Sequence, residues 1–161
     1  MKALVHNRAV NRRRRKKLQQ RLTEAAGWAG VERVVGLIRA GADPNTPGPG
    51  RSTPLYRASV QDRVDNVRVL LAAGADPNAE SGTGEEGLPL CGAACWGHDR
   101  SVRVLLAAGA DPNQREDNGS GRTAAQWAEA GGHRHTLELL TADHTATPGP
   151  TRRTTEAAGA R

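Results

Sequence analysis

The five residues Gly-Ala-Asp-Pro-Asn occur three times in this chain of 161 residues, at 41–45, 74–78 and 109–113, with offsets of 33 and 35. Two of the copies follow the same seven residues, Val-Arg-Val-Leu-Leu-Ala-Ala, at 67–73 and 102–108. Such internal duplication marks a repeat architecture. It constrains the fold strongly, because a unit this short cannot bury its apolar stripe alone and must stack on copies of itself. Composition fits that geometry. Aromatics are 2% of the residues and Phe is absent, so Ala, Val and Leu must fill a thin core repeated along an axis.

Each unit reads as a pair of helices. Thr53-Pro54-Leu55 is a helix start: the Thr53 side chain can accept from an orphan backbone N–H, and Pro54 suits the first turn. Leu55, Ala58 and Ser59 then fall at helical spacing, and a second helix carries Val64, Val67, Leu70 and Leu71 along one side. Gly74 supplies a left-handed residue to end it, and Asp76-Pro77-Asn78 is turn chemistry, with Asp and Asn expected to bond locally. The next units open at Leu88-Pro89-Leu90 and Thr123-Ala124-Ala125, each 35 residues further on.

These residues resemble the ankyrin repeat. Thr53-Pro54-Leu55-Tyr56-Arg57-Ala58 is similar to the family's Thr-Pro-Leu-His-x-Ala, with Tyr in place of His. Gly97-His98 and Gly132-His133 match its Gly-His, and residues 70–78 and 105–113 match its Leu-Leu-x-x-Gly-Ala-Asp-x-Asn ending. The resemblance covers about 20–143 and implies an all-α solenoid of about four stacked helix-turn-helix repeats joined by β-turn or hairpin-like loops. The units are expected at about 19–45, 46–78, 79–113 and 114–143. The opening unit lacks Thr-Pro-Leu and is expected to have a second helix one residue short. The closing unit lacks a final Gly-Ala-Asp; both departures stand where capping repeats belong. The connections 79–87 and 114–122 are each two residues longer than 46–52.

Charge divides the chain. Residues 1–21 hold nine Lys or Arg and no acid, whereas 22–144 hold eleven basic and sixteen acidic side chains, so the net +6 belongs to the ends. Residues 1–18 are expected to form a flexible or helical basic arm, and 144–161 a disordered tail. The run Arg12, Arg13, Arg14, Arg15, Lys16 and Lys17 could hold nucleic acid or another anionic surface weakly, without sequence preference, through counterion release. No aromatics are interleaved to stack bases, and a solubilising arm accounts for the run equally well. Cys91 and Cys95 are too few for a disulfide framework, so reduced thiols and a cytoplasmic location are expected, with neither a secretory signal nor a membrane span.

The resemblance implies a concave binding face made by the loop tips and the exposed side of each first helix. The positions it assigns there are Arg57 and Gln61, Gly92 and Trp96, and Trp127 and Gly131, with Trp28 in the opening unit and Tyr56 beside Arg57. All three tryptophans therefore fall on groove positions, either as an aromatic strip that anchors a partner or as packing over gaps between units. Glu85 and Glu86 in one loop, with Arg115 and Arg122 in the next, would read charge on a partner, or are solvated loop residues. Cys91, Cys95 and His98 supply only three local candidates for a zinc site that needs four, and His98, like His133 beside His135, belongs to the Gly-His motif; no metal is expected. Neither a phosphate loop nor a nucleophile motif is present. The expectation is a non-catalytic, cofactor-free monomer, a scaffold, adaptor or regulatory partner, binding a protein through the groove.

Overall fold

The computed structural model describes residues 2–84 and 86–142. Glu85 and the expected tail at 144–161 lie outside the described residues. Among the described residues eight α-helices follow one another: α1 (Lys2–Trp28), α2 (Val31–Arg39), α3 (Pro54–Val60), α4 (Val64–Ala72), α5 (Pro89–Cys95), α6 (Asp99–Ala107), α7 (Ala124–Ala130) and α8 (Arg134–Thr141). No strand occurs among the described residues. The helices pair as antiparallel hairpins and pile into two rows. An inner row runs α1, α3, α5, α7, and an outer row runs α2, α4, α6, α8.

Small side chains let the rows approach closely. Ala26, Ala58, Ala93, Ala94 and Ala128 of the inner row are fully buried, as are Val67, Leu70, Val102 and Leu105 of the outer row. They belong to one continuous cluster from Leu22 to Leu140, so each hairpin completes the core of its neighbours. Thr53 accepts from the Tyr56 N–H at 3.3 Å and Thr123 from the Gln126 N–H at 3.3 Å, which starts α3 and α7. Gly41, Gly74 and Gly109 end α2, α4 and α6 at φ of +95°, +89° and +89°. α2 therefore has nine residues, as α4 and α6 do. The expectation of a shortened second helix in the first unit is corrected: Gly41 stops α2 in the same register as Gly74 stops α4.

The Asp-Pro-Asn turns also differ from a purely local account. Asp76 does bond locally, accepting from the Asn78 N–H at 2.9 Å. The asparagine side chains instead reach the next unit. Asn45 donates to the Gly74 carbonyl at 2.7 Å and accepts from the Asp76 N–H at 2.8 Å; Asn78 repeats this with Gly109 at 3.1 Å and Asp111 at 2.8 Å. At the open start of the stack Gln19 of α1 takes the asparagine's place, accepting from the Asp43 N–H at 3.2 Å.

A second ladder joins the loops. Each closes like a hairpin, through Gly48 N–H to Ser52 O at 2.9 Å, Ser81 N–H to Gly87 O at 3.0 Å, and Glu116 N–H to Arg122 O at 3.2 Å. The two extra residues of the later loops are accommodated within their tips. Ser81 accepts from the Thr53 N–H at 2.8 Å and Glu116 from the Leu88 N–H at 3.2 Å, so each loop base caps the unit before it. No described loop follows the last unit, and there Gln126 folds back to accept the Thr123 N–H at 3.0 Å. Glutamine side chains thus close both ends. No helix among the described residues is long and apolar enough to cross a membrane.

Candidate functional site: the concave groove

The exposed side of the inner row and the loop bases enclose a cleft of about 260 Å³, bordered by Tyr56, Glu86, Gly92, Cys95, Trp96, Glu116 and Trp127. Gly92 makes its floor. A Cβ there would lie 2.6 Å from Val60 Cγ1 and 3.0 Å from Tyr56 Cε2, so only glycine lets the tyrosine ring lie across α5. Burial, helped by the negative charges of Glu86 and Glu116, pushes the Tyr56 hydroxyl up to about 12.

Trp96 caps the C-terminus of α5 and is 65% exposed, although it stands on a helix whose other side is core. Trp127 differs. It packs partly against the core, its indole N–H donates to Glu116 Oε2 at 2.6 Å, and the Arg122 guanidinium lies 4.7 Å from its ring centroid. Glu116 is the hub of the site: its other oxygen caps Leu88, and it fits only because Gly87 has no side chain, a Cβ there falling 1.8 Å from Glu116 Oε1. Desolvation raises the Glu116 carboxyl above the ordinary range, and the bonds from Trp127 and Leu88 oppose that rise. Burial likewise raises the thiols of Cys91 and Cys95, both free, which keeps them protonated and poor nucleophiles.

Of the sequence-predicted residues, the cleft gathers Tyr56, Trp96, Trp127 and Glu86, with Arg122 at its edge. Glu86 Oε2 accepts from Ser81 Oγ at 2.6 Å, and Arg115 donates to the Gly121 carbonyl of its own loop at 2.9 Å, so these charges also brace the loops. Trp28, Arg57 and Gln61 stand on the inner row outside the cleft lining, and Trp28 is 64% exposed at the end of α1. Its carbonyl accepts from Arg63, which holds the place of the histidine that the next two units use to reach back to the Val60 and Cys95 carbonyls. Glu116 stands in no motif of the repeat and reads from sequence as an ordinary loop charge. Its equivalence to Ser81, 35 residues earlier at the same loop base, is the signal that marks it out.

The six cations at 12–17 lie on α1, all exposed. Arg12, Arg15 and Lys16 share a face and, with Pro47, Gly48 and Pro49, border a second cleft of about 480 Å³. Asp43 also borders it; the Asn45 N–H and Thr46 hydroxyl, with the nearby Arg15 charge, hold its carboxyl below the ordinary range. No group of three or more His, Cys, Asp or Glu is placed to hold a metal ion among the described residues.

A family model described as ankyrin repeats in three copies matches residues 22–116, more than half of the chain. No curated protein matches it. The fourth hairpin, α7 and α8, lies beyond the matched span yet continues both rows. The paired helices, the left-handed glycines closing the outer helices and the hairpin-like loops are those the motifs imply, and the chain belongs to the ankyrin-repeat family, whose members generally mediate protein–protein interactions.

Proposed function

We propose that this protein is a non-catalytic scaffold, adaptor or regulatory partner that works in the cytoplasm as a monomer and binds another protein through its concave groove and loop tips. The units are taken at about 19–45, 46–78, 79–113 and 114–143. The observation that carries the reading is Trp96, two-thirds exposed beside a shaped cleft on a framework fixed by two hydrogen-bond ladders. A large aromatic held out on a rigid support loses little entropy on binding, and tryptophan is enriched among interface hot spots. Trp127, Tyr56 and Glu86 form the wall around it, while Trp28, Arg57 and Gln61 extend the surface along the inner row.

The test is affinity capture from the native cell with wild-type and Trp96→Ala protein. Loss of a hot-spot side chain costs about 2 kcal/mol or more, roughly 30-fold in affinity. The specific partner should be depleted from the variant's eluate while its far-UV circular dichroism is unchanged. Equal recovery from both proteins would remove the groove reading.

A second reading concerns α1. The six cations at 12–17 form no ion pair among the described residues, and three of them border the cleft against Pro47–Pro49. Such uncompensated charge supports weak, sequence-independent binding of nucleic acid by counterion release. That binding should fall steeply with salt and vanish on deletion of residues 1–17; salt-insensitive binding would exclude it.

A further inference from the structure

We infer that the cleft beside Trp96 is a receptor for one cationic side chain, a lysine or arginine of the bound partner. The inference rests on the groove reading and names what the groove recognises. Three carboxylates, Glu86, Glu116 and Asp117, and three aromatic rings, Tyr56, Trp96 and Trp127, line the cleft, and among the described residues no Lys, Arg or His lines it, Arg122 standing at its edge against Trp127. None of those carboxylates belongs to an ion pair among the described residues. Glu116 is half-buried, so its charge acts through a poorly screened environment and stands to gain from an arriving cation.

The two tryptophans are not equivalent. Trp127 already carries a cation of this chain, the Arg122 guanidinium at 4.7 Å. Arg122 and Trp127 therefore display, within the same groove, the contact that Trp96 lacks. Trp96 is the more exposed ring, and no cation stacks on it among the described residues. Glu86 spends one oxygen on Ser81 Oγ, which leaves Oε1 to meet an incoming N–H. A cleft of about 260 Å³ accepts one long side chain, not a folded element. An aliphatic stem on the Trp96 face, with its charged head directed at Glu86 and Glu116, uses every one of these features.

The test follows the indole N–H signals of the full chain by two-dimensional NMR, where the three tryptophans give three resonances. The probes are N-acetyl-arginine amide, N-acetyl-lysine amide and N-acetyl-norleucine amide, the last matching the stem without the charge. At least one cationic amide should shift the Trp96 and Trp127 signals saturably and leave Trp28 as an unmoved internal reference. Norleucine amide should produce no saturable shift. Glu86→Gln, which keeps an acceptor for Ser81, should weaken the arginine or lysine response about fivefold, and Trp96→Ala should remove the Trp127 response. Equal responses to norleucine and the cations, a Trp28 shift matching that of Trp96, or flat signals into the tens of millimolar would each overturn the inference. If capture of the native partner still depends on Trp96 while the titration is flat, the inference falls and the groove reading stands. If capture ignores Trp96, the groove reading falls whatever the titration gives.

Discussion

Asn78 and Asn113 occupy the same place in the same five-residue motif, yet the structure gives them different work. Both backbone N–H groups donate to the aspartate two residues earlier, at 2.9 and 2.8 Å. Only Asn78 has a following Gly-Ala-Asp turn, and its side chain makes two bonds to it, to the Gly109 carbonyl at 3.1 Å and from the Asp111 N–H at 2.8 Å. Where α8 ends the sequence reads Thr141-Ala142-Asp143, with no Gly-Ala-Asp motif to match those that follow α4 and α6. A net hydrogen bond contributes about 0.5–1.5 kcal/mol, and these are solvent-exposed, so Asn78→Ala should cost about 1–2 kcal/mol. For a domain of this size that lowers Tm by roughly 3–8 °C. Asn113→Ala should stay within about 0.5 kcal/mol of wild type, as surface substitutions do. Urea unfolding followed by far-UV circular dichroism reads both, with the slope checked because stacked repeats can lose two-state behaviour. Equal midpoints for the two variants would refute the inter-unit ladder.

Further outcomes follow from the same geometry. Asp62 holds φ +48° where the next two units have Gly97 and Gly132 at +68° and +70°, and its carboxylate accepts from Ser101 at 2.7 Å. Asp62→Ala should therefore cost about 1–2 kcal/mol in urea unfolding, and Asp62→Gly should recover most of it. Gly92→Ala should displace Tyr56 or Val60 and cost about 1–3 kcal/mol, with altered near-UV dichroism from the cleft aromatics. Asp43, whose folded pKa is depressed, contributes stability present above its unfolded value of 3.8 and lost as pH falls through the lower folded one. The gap between wild type and Asp43→Ala should accordingly be full at neutral pH and close in acid, measured by thermal melts across pH.

Much of this was legible because the repeat forces it. The Gly-Ala-Asp-Pro-Asn spacing placed α2, α4 and α6, and Thr53-Pro54 and Thr123 placed two of the first helices. What the motifs hide is where a side chain spends its hydrogen bonds once units stack. Asn45 and Asn78 read as turn residues and proved to be bridges, and Gln19 and Gln126 carry no motif yet complete the ladders at the two ends. The groove shows the same division. The family resemblance assigned Trp96 and Trp127 to the concave side, but only three-dimensional packing separates an exposed ring from one already held by Glu116 and Arg122. Arg63 and Asp62 stand in for the Gly-His pair of the later units, a substitution visible only after alignment of the units at 35 residues.

Site-specific photo-crosslinking tests the claim that the concave side is where a partner lands. A benzoylphenylalanine at position 96 should give a covalent adduct with the native partner in the cell, and one at position 68, exposed on the outer-row helix α4, should give none. Adducts from position 68 with none from position 96 would place binding on the convex side and contradict the account.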